Sequence, residues 1–476
     1  MVAALACTAC ATLSRPVTGA APAAPPPPAA YDNATNPGAG TGSDTGNDWY
    51  RGFGSDELVG LIAGARDGNT DLAAAQARIL QADARARAAG SALLPTVQAG
   101  GGVSHVIGRA QGVTANETDW SALLSASYEI DFWGRNRAGR ESAQALARAS
   151  RADREALWLT VENGIAASYF RVLALRERQS IAAANLATAR QVLQVIEARF
   201  NAGVASAVEL ATQRATVANA ELVLPDLAQQ EAAERGALAL LAGHDPEGFQ
   251  VSGAASLADL KEPAVAAGLP AELLTRRPDL LAAEASLRAS HADLRAAQAA
   301  LFPTVTLTSN GGLQNPAVQA AVTTLAGTGV SFTVGANILQ TIFDGGRRRA
   351  VRAEAEAREQ ELLAGYRAAI RNALLDVENA LSAIRHLEEQ RQAQAENVAQ
   401  STLAFDGAEL RYRAGSGDFL TMLEAQRLLY AARDQASTYR LARMQALVGL
   451  SKALGGGWQS ESLQTSGSPS SQASAP

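Results

Sequence analysis

The sequence predicts an α+β membrane protein with an internal two-fold repeat, in which each chain lends a few strands to a shared β-barrel and two long helical hairpins to a tube beneath it. Three observations carry this expectation. The chain repeats itself, since Asp71-Leu72-Ala73-Ala74-Ala75-Gln76-Ala77 leading to Leu93-Leu94-Pro95-Thr96-Val97 recurs as Asp279-Leu280-Leu281-Ala282-Ala283-Glu284-Ala285 leading to Leu301-Phe302-Pro303-Thr304-Val305. Each copy contains two stretches in which apolar and polar residues alternate, the pattern of a strand with one apolar face. Each then continues into a proline-free stretch, 135–200 or 347–413, dense in Ala, Leu, Glu, Gln and Arg.

Residues 1–10 read as the remnant of a secretion signal with a lipoprotein-type cysteine, because Cys7 and Cys10 each follow small residues. No Lys or Arg precedes Cys7, so the natural start is expected upstream. The alternative is two incidental cysteines in an Ala-rich start. Residues 11–48, which include Pro25-Pro26-Pro27-Pro28, cannot bury a core and read as a tether.

The first repeat covers 49–250 and the second 269–455, with 251–268 connecting them and 456–476 as a disordered tail. In each repeat a short helix (about 55–65; 269–276) precedes a longer one (about 69–91; 278–300), which stops at Leu-x-Pro-Thr-Val because proline cannot continue a helix. The β-hairpins are expected over 95–132, as strands 95–108 and 119–132, and over 303–342, as strands 303–313 and 328–342. In the second strand of each copy Leu124, Ala126, Tyr128, Ile130 and Phe132 alternate with Ser125, Ser127, Glu129 and Asp131, and Val330, Phe332, Val334, Ala336 and Ile338 with Ser331, Thr333, Gly335 and Asn337. Each strand is long enough to span a bilayer when tilted, which takes about 9–11 residues. The helical hairpins occupy 135–243 and 346–454. At ~1.5 Å per residue their first arms would reach on the order of 100 Å, too long for a globular core. Abundant Ala implies close helix-to-helix approach along a coiled-coil-like wall. The arms turn at Asn201-Ala202-Gly203 and Arg413-Ala414-Gly415-Ser416-Gly417, with glycine where a helix C-cap wants it. Pro225 is expected to interrupt the first returning helix.

Composition narrows the function. The 41 basic and 47 acidic residues, net charge -6, are dispersed with no basic cluster, which argues against nucleic acid. Both cysteines lie in the first ten residues, leaving the rest without a disulfide framework. No run of apolar residues reaches the ~18 that a transmembrane helix needs. The histidines His105, His244, His291 and His386 are scattered, without carboxylate or cysteine at metal-ligand spacing. Phosphate-loop, nucleophile-elbow and dinucleotide motifs are absent from the sequence. Asp344-Gly345-Gly346 lacks the other oxygen ligands of a calcium loop and reads as a strand-to-helix bend. Four strands cannot close a barrel, which takes about eight, so several copies must share one.

Taken together, Gly268-Leu-Pro-Ala-Glu-Leu-Leu-Thr-Arg-Arg-Pro-Asp279-Leu280, Leu301-Phe-Pro-Thr-Val305, Tyr128-Glu-Ile-Asp-Phe-Trp-Gly134-Arg135, Ile342-Phe-Asp-Gly-Gly346-Arg347 and Arg411-Tyr412-Arg413-Ala414-Gly415 make the chain resemble the outer-membrane efflux proteins of the TolC type, in particular the lipoprotein branch typified by OprM and the NodT-like proteins. The resemblance covers nearly everything from Trp49 to Trp458. It implies a homotrimer whose twelve strands form one outer-membrane barrel, continued into the periplasm by an α-helical barrel. It also implies a lipid-anchored protein with a periplasmic adaptor and an inner-membrane RND pump as partners, no reaction of its own and no cofactor beyond the covalent lipid on Cys7 or Cys10. Leu420 and Glu424 match the family's aperture-lining leucine and aspartate. Glu209 is a looser match in the first repeat, out of register when Gln213-Arg214 is set against Gln426-Arg427. Arg199, Phe200, Gly203, Arg411, Tyr412, Arg413 and Gly415 resemble the adaptor-facing tips, although cations there also suit helix C-termini. The expected function is the exit duct of a tripartite efflux system. A duct for type I protein secretion and a soluble coiled-coil scaffold are the alternatives.

Overall fold

The computed structural model describes residues 28, 31, 48–110, 113–254, 256–263, 270, 273–314 and 329–456. Cys7 and Cys10, nearly all of the tether, part of the 251–268 connection and the tail beyond residue 456 lie outside the described residues. After a 3-10 turn (Trp49–Phe53) come α1 (Asp56–Gly68), α2 (Thr70–Ser91), β1 (Thr96–Ala110), β2 (Val113–Ile130), α3 (Arg135–Asn201) and α4 (Ala207–Leu241). The second repeat follows as α5 (Leu273–Arg276), α6 (Pro278–Ala299), β3 (Thr304–Gln314), β4 (Gly329–Leu339), α7 (Arg347–Arg413) and α8 (Phe419–Ala453). The duplication is metrically strict. Both first arms have 67 residues, both returning arms 35, and α2 and α6 have 22 each.

Two expectations needed correction. Pro225 does not break α4, which runs through it. A proline frees the carbonyl four residues back and crowds it, but this one lies on an exposed face where water can take the freed group. The loop expected between β1 and β2 is also mostly strand. Val113–Thr118 continue the ladder against Ala110–His105, as the β-branched Val113, Thr114 and Thr118 favour.

The described residues fall into two compact units, one made of Ile79–Ser150 and Ala282–Arg367 and the other of the remainder. The first holds a four-stranded antiparallel meander in the order β1-β2-β3-β4. Its register aligns the two patterns across all strands. Val97 pairs with Ala126, Val103 with Trp120, Leu124 with Gly311, Tyr128 with Leu307 and Val305 with Ile338, so these side chains share one face. The opposite face carries Thr96, Gln98, Ser104, Ser125, Ser127, Thr306, Thr308, Asn310, Ser331, Thr333 and Asn337. The apolar face is left uncovered along with the polar one: Val103 is 77% exposed, Ile107 75%, Phe332 76% and Ile338 73%. That departs from the pattern of a soluble sheet, which buries its apolar side. Below the strands, Asp131 accepts from the backbone N–H groups of Asn136 and Arg137, and Asp344 from those of Gly346 and Arg348. Each caps the start of a long helix. Trp133 stacks on Phe302 at 4.7 Å and its indole N–H donates to the Pro303 carbonyl at 2.7 Å, locking the β2–α3 bend onto the α6–β3 bend.

The second unit has an aromatic core in which Phe53, Leu58, Ile62, Ile165, Tyr169, Phe170, Leu173, Leu238 and Leu257 are fully buried. Arg277, from the Leu-Thr-Arg-Arg-Pro-Asp motif, forks onto Asp279 and reaches Asp376 at 3.0 Å and the Ala453 carbonyl at 3.3 Å, tying the head of α6 to α7 and α8. Among the described residues no helix is long and apolar enough to cross a membrane.

Candidate functional site: the tip of the helical hairpins

Both hairpins turn by the same device. Gly203 (φ 77°) and Gly415 (φ 76°) sit in the left-handed region. The N–H groups of Val204 and Ser416 then reach back to the carbonyls of Arg199 and Arg411 at 2.9 and 3.0 Å, closing each helix end. The returning helices restart on side-chain caps. Ser206 Oγ accepts from the Glu209 N–H at 3.2 Å, and Asp418 accepts from the Thr421 N–H at 2.8 Å and its hydroxyl at 2.6 Å. The Thr421 bonds hold the Asp418 carboxyl below the usual carboxylate range.

The tip has its own core of Val192, Ile196, Leu210, Phe405, Tyr412, Phe419, Met422 and Leu429. Tyr412 is its keystone. The Arg199 guanidinium lies 4.5 Å above the Tyr412 ring and donates to the Tyr412 carbonyl at 2.6 Å. The Tyr412 hydroxyl donates to Glu209 at 3.0 Å. Burial, then the bond to Glu209, push this phenol up to about 12, so it remains a donor at any physiological pH. One residue of α7 therefore grips both α3 and α4. Further up, Tyr430 on α8 donates to the Asn185 carbonyl at 2.6 Å, and Arg178 forks onto Asp434 at 2.7 and 3.1 Å.

The site residues read from sequence divide between inside and outside. Leu420 is 71% exposed, and Glu424 lies one turn on along the same exposed face, 3.6 Å from Arg427. Such an exposed pair contributes little stability. Phe200 and Arg411 are exposed, and Arg413 pairs with Glu409 at 2.6 Å. Tyr412 differs from its repeat counterpart Phe200 in being 2% exposed, so its ring serves the interior of the tip and is not presented to a partner. The caps Ser206 and Asp418, with the buried pairs Leu210/Met422, Gln213/Ala425 and Val217/Leu429, set the register between the returning helices. In that register the counterparts of Leu420 and Glu424 are Val208 and Thr212. Glu209 corresponds to Thr421, and its carboxylate is engaged by Tyr412. Matching the two Gln-Arg pairs placed the frame one residue off. Asp418 was missed by the sequence reading, though an Asp just after a Gly-rich turn and before an apolar periodic run is an N-cap signal. Among the described residues no cluster of His, Cys, Asp and Glu could hold a metal.

Comparison with known proteins agrees with this architecture. The profile of the Outer membrane efflux protein family matches residues 61–244 and 269–456, one segment for each repeat. The pyoverdine export outer membrane protein OpmQ of Pseudomonas putida is 43% identical over 465 residues, covering 95% of this chain and 96% of that one. The cation efflux system protein CusC of Escherichia coli K12 is 29% identical over 86% of this chain and 88% of its own. Among solved structures, the outer-membrane channel OprN superposes with a TM-score of 0.84 at 28% identity, over 93% of this chain and 99% of OprN. The open state of the MtrE outer membrane channel of Neisseria gonorrhoeae does so at 0.79 and 27%, over 93% and 99%. With both halves of the duplication matched, this chain belongs to the outer membrane efflux protein family and resides in the bacterial outer membrane, extending into the periplasm.

Proposed function

We propose that three copies of this chain assemble the exit duct of a tripartite RND-type efflux system, and that small molecules leave the periplasm through it passively. The observation that carries this reading is the sheet: one uncovered apolar face suits lipid tails, and the opposite face of Ser, Thr, Asn and Gln suits a water-filled lumen. Twelve strands from three copies form one barrel, and α3, α4, α7 and α8 from each copy form the tube below it. The ring of Leu420 side chains resists wetting at the periplasmic aperture, while the ring of Glu424 carboxylates repels itself and favours opening. Arg199, Phe200, Arg411 and Arg413 with their turn glycines form the surface offered to a periplasmic adaptor, in turn fed by an inner-membrane pump. Acyl chains on Cys7 or Cys10 anchor the N-terminus. The 43% identity to a pyoverdine export protein makes siderophore-like chelators the first cargo to try. Deletion of the gene should retain such a chelator in the periplasm and complementation should restore export. Unchanged export in the deletion strain would remove the cargo assignment, and absence of channel activity in planar bilayers would remove the duct.

A further inference from the structure

Midway along its length α3 has two working faces. Ile165, Tyr169 and Leu173 point into the aromatic core that holds Leu58 and Ile62 of α1. On the opposite side, Arg171, Leu175 and Arg178 line a recess of about 490 Å³, walled by Glu234 of α4 and by Ser437 and Leu441 of α8. Sites for small organic molecules measure ~300–1,000 Å³. Arg171 lies 3.1 Å from Glu234 and Arg178 forks onto Asp434, so α3 is held between α4 and α8 along the recess. The Tyr430–Asn185 and Arg178–Asp434 contacts set α8 antiparallel to α3, and three residues on from Asp434 bring Ser437 level with Leu175.

The recess has donors to spare, while its carboxylates are occupied. Among the described residues Glu234 already accepts from the Ser168 hydroxyl and pairs with Arg171 Nε, and Asp434 accepts from Arg178 Nε and Nη2. Both terminal nitrogens of Arg171, and Nη1 of Arg178, are left without a partner there. So is the Ser437 hydroxyl, in a residue only 1% exposed, which does not take even the carbonyl four residues back that a helical serine can use. A buried polar group without a partner is costly, and a bound acceptor removes that cost. The charges are not needed to build the wall. In the second repeat the counterparts of Arg171, Arg178 and Glu234 are Ala383, Gln390 and Ala446, in arms of the same length.

We propose that this recess binds elongated organic anions that carry oxygen acceptors at both ends of an apolar frame. Arg171 and Arg178 are two turns apart, ~10 Å, and serve the two ends; the Ser437 hydroxyl sits between them, and Leu175 and Leu441 contact the frame. A cation of the same shape finds both carboxylates taken. On α8, Leu441 and Asp434 follow Arg427 and Leu420 at seven-residue steps, which keep to one side of a coiled-coil-like wall. The recess therefore opens on the side that carries Leu420 and Glu424 at the tip. That placement rests on the duct reading, under which this side is the lumen, and it adds a point where cargo is held in transit.

The test is isothermal titration of the full chain in lipid nanodiscs with naphthalene-2,6-dicarboxylate, using empty nanodiscs as the blank. Saturable binding of one molecule per chain is expected. 2-Naphthoate, which engages one end only, should bind about tenfold more weakly, the loss of one charge-assisted contact, and 2-naphthylmethylammonium should not bind. Arg171→Gln should weaken the dicarboxylate about tenfold, and Ala174→Leu, which fills the floor, should abolish its binding. Binding that survives both changes would place the ligand elsewhere and overturn the proposal, as would equal binding of the cation. The direction of opening is read separately. Thr438→Cys at the rim should react with a maleimide carrying a long poly(ethylene glycol) chain and block single-channel current in planar bilayers, and the dicarboxylate should slow that reaction. The parent protein under the same reagent controls for Cys7 and Cys10. Channels that conduct but show no saturable binding of the dicarboxylate would overturn the recess and leave the duct standing. Binding with no channel would overturn the duct and leave the recess, and a labelled channel with undiminished current would remove the lumen from in front of it.

Discussion

Tyr412→Phe is the most discriminating single change at the hairpin tip. It keeps the ring that packs on Phe419 and under Arg199, and removes only the hydroxyl that donates to Glu209 at 3.0 Å. A hydrogen bond to a buried charged acceptor is worth about 1.5–3 kcal/mol, but Glu209 is half-exposed, where water can replace the donor, so the ordinary net value of about 1 kcal/mol applies. The bond joins α7 to α4, so parting the two hairpins must break it. If three copies open together the losses add to about 3 kcal/mol, which favours opening roughly 150-fold at ~1.4 kcal/mol per tenfold. Single-channel recording in planar lipid bilayers measures this directly as open probability. Tyr50→Phe is the control, since that hydroxyl donates to Asp48 two residues away and joins no hairpins. An open probability unchanged in Tyr412→Phe, with the trimer intact, would refute the idea that the Tyr412–Glu209 bond holds the tip closed.

Three further outcomes are expected. Leu420→Ala and Glu424→Ala should each raise single-channel conductance, and unchanged conductance in both would take away the reason to place the aperture there. Glu162, 3% exposed in the aromatic core, is pushed by burial from 4.5 up to about 8. The fold therefore holds it protonated, so its contribution is neutral at pH 4, turns unfavourable as pH climbs toward 8 and levels off above, with a limiting cost of about 5 kcal/mol per chain. Glu162→Gln should flatten the decline of thermal stability between pH 5 and 8, and a decline as steep as in the parent protein would contradict this. Mass spectrometry of the mature N-terminus should find acyl chains on Cys7 or Cys10, and an unmodified cysteine at both would exclude the anchor.

Much of the fold was readable in the residues because its signals are long. A 67-residue arm without proline, a two-residue alternation over ten positions and a duplicated Leu-x-Pro-Thr-Val element each have few alternative readings. The misses came where a signal was short or depended on context. Pro225 reads as a break because the disruption is intrinsic to the residue, whereas its tolerance depends on which way the helix faces. The register of Glu209 could not be set from a two-residue Gln-Arg match, because the caps and core positions that fix it become visible only with burial. The site was legible residue by residue, yet not as a network. Nothing in Arg411-Tyr412-Arg413 says that its tyrosine turns inward while the matching Phe200 stays out. That difference arises from Arg199 and Glu209, more than two hundred residues away.

On this reading the sheet is one share of a barrel and cannot seal itself. Native mass spectrometry of the detergent-extracted protein, with end-on images of the same particles, tests it most directly. The expected result is a trimer with threefold symmetry around a single lumen. A monomer that stays in solution without detergent and shows no ring would contradict it.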